Sequence, residues 1–457
     1  MNVALSLKKK QMIDSILYWN QIALDATKVD FTTIDASVNP TPEQGGPTRT
    51  SRALAIIHIA MYDAYTGIKG GPKYLSYSVG ETPGTIDLQA AQAAVGTAAC
   101  LTLITLFSRQ KDTFIREHEK FISMLSSQDP HIAQGLAWGT LVAEKILTTR
   151  KDDGSGTSDS FYAPSPEPGR HRPDPTNSAQ GFLGPLWGNV KPFGISGLNT
   201  KVPGIAPPPL NSPAYAADFN EVLNKGRNQG GTRTNAETTI GLFWAYDGAR
   251  NISVPPRLYN QVIRAIAKKK GSSESDNAKL FAMVNVAMAD AGIQAWHEKY
   301  KHNVWRPVLG VREADAGWGP TGLGDGNAAT QIDPYWIPLG APPTNQPAKN
   351  PATPNFPAYP SGHATFGTAA LRITAIVLGL PDSFKFTFVS DELDGTAVGA
   401  TGIRPRYERE LTIASAIEEN ILSRVYLGVH WKFDGREGER NGQSIAQKIA
   451  AAFPALA

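Results

Sequence analysis

Asn355-Phe356-Pro357-Ala358-Tyr359-Pro360-Ser361-Gly362-His363-Ala364-Thr365-Phe366-Gly367 marks the point where a proline-rich arm gives way to a helix. Residues 350–360 hold four prolines, whereas residues 364–380 hold few helix breakers. Pro360 cannot continue a helix from upstream but suits the place just ahead of a start, and Ser361 is a good N-cap. A helix that begins here offers free backbone N–H groups and a positive dipole end, which together make an anion site. His363 falls in the first turn, within reach of a bound anion. Taken alone, these residues favour the plainer reading, an ordinary capped helix with a chance histidine. What decides is whether the rest of the chain supplies partners.

Outward from this stretch the chain reads as mainly α. The spacing of apolar residues predicts helices over 11–29, 48–65, 87–107, 111–125 and 130–150. Short polar turns between the last three favour antiparallel packing, so helical bundles are the expected architecture. Residues 48–65 are apolar on nearly every side, which predicts a buried helix with His58 as a hydrogen-bonded core histidine. Further helices are expected over 213–226, 235–246, 254–270, 276–300, 361–380, 409–428 and 438–453, with one strand at 384–389 and a loop at 391–406. Nothing alternates strand with helix as an α/β sheet requires. Residues 152–213 are dense in proline and glycine and also aromatic, which predicts a segment that wraps the surface and rims a cleft. The expected organisation is an N-terminal helical half at 1–151, this wrapping segment at 152–213, and a C-terminal helical half at 214–457 carrying the site, all within one compact unit.

Composition narrows the partners. With 457 residues, 44 basic and 41 acidic side chains and a net charge of +3, nothing argues for nucleic acid or an anionic membrane surface. An anion site has to be built locally from a few cations. The single cysteine, Cys100, excludes an intrachain disulfide and a cysteine-only metal cluster, and its alanine-rich setting reads as core. No run of about 20 apolar residues is seen, so no membrane span is expected; the best stretch, 369–380, is short and contains Arg372. No secretory signal is read at the start, which leaves a cytoplasmic chain or one exported without a recognisable signal.

Three cations sit near helix breaks. Lys299 lies at the end of the longest predicted helix, and Arg306 follows seven residues on, before Pro307, which turns the chain. Arg424 precedes His430 by six residues, about 120° away on an ideal helix. The two converge only if the helix ends between them, and Gly428 is a plausible breaker. Asp434, four residues after His430, is placed to hold one imidazole N–H and raise the basicity of the other nitrogen.

Lys-x6-Arg-Pro, Pro-Ser-Gly-His and Ser-Arg-x5-His-x3-Asp, in that order, resemble the signature of the type 2 phosphatidic acid phosphatase superfamily. That superfamily joins acid phosphatases, lipid phosphatases and vanadium-dependent haloperoxidases. The flanks around Pro360–His363, together with residues 242–248 and 52–64, look like the vanadium chloroperoxidase branch. The resemblance implies a fold of two four-helix bundles. It also implies a vanadate cofactor with His430 as the protein ligand to vanadium. Lys299, Arg306 and Arg424 would neutralise the vanadate oxygens, while Ser361 and the Gly362 N–H add hydrogen bonds. His363 would be the acid/base, with Asp434 behind His430. Lys299 would also hydrogen-bond the peroxide. Trp296 and Phe356 match the halide side, though both read equally as core. Asp247 would pair with one of the arginines, or is a helix-end turn residue.

The implied reaction is oxidation of chloride, bromide or iodide by hydrogen peroxide to hypohalous acid, with an organic acceptor and an oligomeric state left open. Phe356 leans toward chloride-oxidising members. An acid phosphatase working through a phosphohistidine on His430 uses the same residues, and a non-catalytic oxyanion-binding protein is the third reading.

Overall fold

The computed structural model describes residues 13–32, 41–78, 80–125, 129–159, 161–194 and 204–453. The start of the helix predicted from residue 11, the turn at 126–128 and part of the wrapping segment lie outside these residues.

Thirteen helices carry the described chain: α1 Ser15–Asp30, α2 Gly46–Lys69, α3 Leu88–Leu106, α4 Lys111–Met124, α5 Ile132–Thr149, α6 Pro213–Lys225, α7 Asn235–Phe243, α8 Pro255–Lys270, α9 Glu274–His302, α10 Pro307–Arg312, α11 Gly362–Leu378, α12 Ile413–Tyr426 and α13 Lys432–Ala452. The fold is mainly α, as the periodicity predicts. Helices α2, α3 and α5 pack together, with α1 and α4 against α3. Helices α8, α9, α11 and α13 form a second group, and α2 against α9 joins the two. One apolar core runs through both groups, from Ile16 to Phe453. Helix α3 is long and apolar enough to cross a membrane, contrary to the sequence expectation, yet most of it is buried inside the protein.

Two boundaries near the site differ from expectation. Residues 408–412 do not open a helix. They form a strand, Glu408–Thr412, antiparallel to the strand Lys385–Val389, with Phe386 opposite Leu411. Alternating charges mask this strand in sequence, because its only fully buried side chain is Leu411. Helix α12 starts at Ile413, capped reciprocally by Thr412 and Ser415. The expected loop at 391–406 also holds a short hairpin of Val398–Gly399 against Gly402–Ile403.

Helix α13 starts at Lys432, six residues before the expected start, because the Asp434 carboxylate accepts the Trp431 N–H and caps it. Gly438, where the sequence reading starts the helix, is a contact point. A Cβ there would lie 2.7 Å from the Ser361 carbonyl and 2.8 Å from the Ala364 Cβ. The bare glycine lets α13 close on the first turn of α11, which brings Asp434 to Ser361.

The described part of the Pro/Gly-rich segment lies along the end of α9. His171 N donates to Asn303 O at 3.0 Å, and Trp305 N donates to Gly169 O at 2.9 Å. Leu183 O accepts from Trp296 Nε1 at 3.1 Å and from the Tyr300 hydroxyl at 2.7 Å.

Candidate active site

The start of α11, the end of α9 and the α12–α13 connection converge at the base of a cavity of about 750 Å³. Ser361 caps α11, its hydroxyl accepting from Ala364 N, while its own N–H donates to Asp434 O at 2.8 Å. Helix α12 ends at Tyr426, and Gly428 takes φ +70° with the Gly226 carbonyl 2.4 Å from where a Cβ would stand. That turn swings His430 back toward Arg424, as the spacing required.

His430 is held on both sides. Its Nδ1 pairs with Asp434 Oδ2 at 2.9 Å, and its Nε2 faces Arg306 Nη1 at 2.9 Å. With the proton on Nδ1, Nε2 presents a lone pair. Arg306 is fixed by the Val429 carbonyl (Nη1, 2.8 Å) and the Phe356 carbonyl (Nε, 2.9 Å). Arg424 Nη2 donates to both oxygens of Asp247, at 2.7 and 3.0 Å. Asp247 therefore pairs with an arginine, one of the two roles read for it. Three guanidinium nitrogens remain buried and unpartnered: Nη2 of Arg306 and Nε and Nη1 of Arg424. Buried N–H groups without acceptors are rare and costly, and three in one place describe a site built for an anion.

His363 lines the same cavity with Gly362, Arg424 and His430. Its Nε2 bonds the Ala245 carbonyl at 2.6 Å, which makes Nδ1 its basic atom. The His363 carbonyl accepts from the Tyr259 hydroxyl and Asn420 Nδ2, both at 2.9 Å, so the first turn of α11 is pinned from two helices.

Lys299 departs from expectation. Its ammonium donates to the carbonyls of Pro357, Ala358 and Pro360 at 2.8, 3.0 and 2.5 Å, and it does not line the cavity. All three N–H bonds are given to the arm that delivers Phe356 and Ser361. In this geometry Lys299 is a clip that shapes the arm and acts on an anion through its charge. Trp296 and Phe356 do line the cavity, with ring centroids 4.7 Å apart. Phe356 has Lys299 Nζ 5.1 Å and the Arg306 guanidinium 4.9 Å from its ring centroid, so the apolar wall sits directly beside the cations.

Burial dominates the electrostatics. It holds the His430 and His363 imidazoles well below the usual histidine range, with neighbouring cations adding to the effect, Arg306 first for His430 and Arg424 first for His363. Both are neutral. Burial, then Arg306, also pushes Lys299 well down, and burial lowers Arg306 to about 9. Crowded cations of this kind bind an anion because it relieves their mutual repulsion. Asp434 is raised by burial, against the pull of Lys299 and Arg306.

Sequence reasoning missed His171, which is fully buried, has no partner for either ring nitrogen, and is held neutral by burial and by Arg306 and Lys299. It also missed Phe31, Pro47 and Arg49, which reach the cavity from the N-terminal helices. No spacing relates either set to the three motif blocks.

Two family models match the chain: the vanadium chloroperoxidase N-terminal domain over residues 10–183, and the second helical-bundle domain of the same family over residues 279–456. The vanadium chloroperoxidase of Curvularia inaequalis is 29% identical over 92% of this chain and 78% of its own length. Among solved structures, one described as the first bacterial vanadium-dependent iodoperoxidase superposes with a TM-score of 0.70, at 21% identity, over 95% of this chain and 96% of that one. A holo-type bacterial vanadium-dependent chloroperoxidase superposes at 0.61, with 15% identity, over 89% of this chain and 92% of that one. The solved structures share the fold, and the two domain models span most of the sequence: the chain belongs to the vanadium chloroperoxidase family.

Proposed function

We infer that the pocket holds vanadate and that the enzyme oxidises halide with hydrogen peroxide to hypohalous acid. The observation that carries this is the set of three unpartnered guanidinium nitrogens beside the Nε2 lone pair of His430. That donor set fits vanadate, since an oxyanion needs N–H donors for its oxygens and a neutral imidazole can ligate the metal. His430 would hold it through Nε2, with Arg306 Nη2 and Arg424 Nε and Nη1 on the oxygens. Asp434 fixes the imidazole tautomer, and Asp247 aims Arg424. When bound, vanadate supplies a Lewis acid that polarises peroxide.

The chain's own residues do the rest. His363, anchored through Nε2–H on the Ala245 carbonyl, takes a proton from incoming peroxide at Nδ1. Lys299 holds the arm that sets Phe356 and Ser361, and its charge favours the anionic states of the reaction. Trp296 and Phe356 form a poorly solvating wall where halide gives up two electrons to peroxide. A phosphatase with a phosphohistidine on His430 is not favoured, because the matching family models and the curated relative are vanadium chloroperoxidases.

The test loads the protein with orthovanadate and follows halogenation of a diketone dye with peroxide and chloride, bromide or iodide. Turnover with at least one halide is expected. Without peroxide, vanadate at 100 times its Kd should stabilise the fold by about 2.7 kcal/mol in a thermal melt. Hydrolysis of p-nitrophenyl phosphate with no halide oxidised overturns the assignment.

A further inference from the structure

The loop that joins α7 to α8 gives the cage two contacts. The Ala245 carbonyl takes His363 Nε2 at 2.6 Å, and Asp247 holds Arg424 at 2.7 and 3.0 Å. Tyr246 lies between them with φ +44°. Positive φ is a genuine outlier for a bulky residue, and it persists only where the surroundings enforce it. The place of this torsion matters. Rotation about it turns the peptide plane that carries the Ala245 carbonyl relative to Asp247. One torsion therefore sets both contacts, to α11 through His363 and to α12 through Arg424.

Further along, the loop closes on itself: Gly248 N donates to Ser253 O at 2.9 Å and Ser253 N to Ala249 O at 3.1 Å. These bonds lie beyond Asp247 and do not fix the Tyr246 torsion. The Tyr246 side chain does. It is fully buried, and its hydroxyl donates to Gln261 Oε1 at 2.9 Å while accepting from Asp391 N at 2.8 Å. Burial, and then the charge of Asp391, keep the phenol protonated and so a donor. The turn Asp391–Leu393 is itself anchored, Asp391 to Arg257 on α8 and Ser390 Oγ to Phe243 O at 2.7 Å. The phenol is thus braced between α8 and a turn that is tied back to the end of α7.

We propose that Tyr246 is a positioning residue of the reaction: its hydroxyl, held by Gln261 and Asp391 N, keeps the turn that aims His363 and Arg424 together. This rests on the haloperoxidase reading above. Without the brace the torsion relaxes toward negative φ, and two things change at once. His363 loses its fixed acceptor on Nε2, so Nδ1 is no longer its only basic atom. Asp247 draws Arg424 away from the oxyanion. A single remote bond links proton transfer to anion binding.

The first reading is NMR of the vanadate-free protein with isotope-labelled imidazole nitrogens, the His363 signals assigned by their loss in His363→Gln. Wild type should show one His363 tautomer, with the proton on Nε2. Tyr246→Phe keeps the ring and removes the hydroxyl, and it should populate both tautomers. Isothermal titration of the same variant with orthovanadate should show affinity weakened by about tenfold or more, the loss typical of an outer-shell partner. At saturating vanadate its kcat for iodide and peroxide should fall by a similar factor, with KM for iodide within about twofold, since Trp296 and Phe356 are untouched. Gln261→Met removes the acceptor of the same hydroxyl and should move all three readings the same way by less; it decides the matter alone if Tyr246→Phe does not fold. A role in packing only would lower the urea midpoint and leave the tautomer, the vanadate affinity and kcat of the folded variants at wild-type values. That result, with wild type active, overturns the proposal alone. A wild type that oxidises no halide overturns the haloperoxidase reading, and the proposal with it.

Discussion

His58 and His430 are equally buried, 1% exposed each, yet their surroundings are opposite. His58, on α2, has Nδ1 at 2.7 Å from Leu54 O and Nε2 at 2.8 Å from Asn20 Nδ2. The network runs on through Asn260 and Asn285, with Arg264 donating to Asn20. None of these side chains leaves a buried polar atom without a partner. Around His430, unpartnered nitrogens remain on Arg306 and Arg424, and Asp434 Oδ1 has no donor. The first network is closed and contributes structure; the second is open and stores binding capacity. Burial by itself does not separate a functional histidine from a core one. Satisfaction of the surrounding donors does.

The largest effect that tests this contrast is His430→Ala. It should abolish the vanadate-induced rise in melting temperature and lower halide oxidation by about a thousandfold or more, as expected when the side chain proposed to hold the catalytic centre is lost. His58→Ala should lower stability but leave the turnover of folded, vanadate-loaded enzyme within about threefold, since it touches no reacting group. Equal loss of turnover in both variants breaks the comparison.

Lys299 tests it from the other side. If its ammonium is a clip, Lys299→Met leaves three carbonyls without a donor, and the vanadate-free protein should lose about 3–5 kcal/mol in a urea melt. If the residue served only a bound anion, removing a buried cation beside Arg306 would leave that stability unchanged or raise it. The sign decides between a residue of the closed kind and one of the open kind. The clip also separates stability from binding: a loss of vanadate affinity with no change in the melt returns Lys299 to the role of direct ligand.

How much of this was legible in the sequence follows the same line. The helices were, because apolar periodicity over 48–65 or 276–300 reports burial directly. The cage members His430, Arg424, Arg306 and His363 were legible because ordered motif blocks name them, and the break at Gly428 because its conformation is rare for other residues. The strand at Glu408–Thr412 was not, since one buried Leu411 among charges gives no period. The early start of α13 was hidden because the reading opens the helix at Gly438, while the reason for that glycine is a contact with α11, far away in sequence. Lys299 was assigned to the ligand because spacing shows where a cation sits along the chain and not which carbonyls fold back onto it. His171 and Phe31 come from segments whose approach to the site is purely tertiary.

Asp247 gives an intermediate effect. Asp247→Asn keeps the size but removes the charge that aims Arg424, at 2.7 and 3.0 Å. Loss of such a supporting partner typically weakens binding by about 10–100-fold. Isothermal titration with orthovanadate should show that loss with little change in the vanadate-free melt. A large drop in stability would instead mark the Asp247–Arg424 pair as part of the closed framework.

The smallest expected effect comes from titrating the closed network. Burial lowers His58 to about 4, with the nearby positive charge of Arg264 adding to it. The unfolded chain therefore takes up this proton near the ordinary histidine value of about 6.5, while the folded chain resists it. Below that value the unfolded state binds more protons, so the stability that depends on neutral His58 is complete above about pH 6.5 and drains away as pH falls toward 4. Between pH 7.5 and 5.5 the loss from this one group is about 1 kcal/mol. Other groups titrate over the same range, so the measurement is a difference: urea melts of wild type and His58→Gln at both pH values. Glutamine can still bond Asn20 but takes up no proton, so the variant should lose about 1 kcal/mol less than wild type on acidification. Parallel losses in the two proteins would mean that water or a shifted side chain accommodates the charged imidazole, and that the network around His58 is not closed.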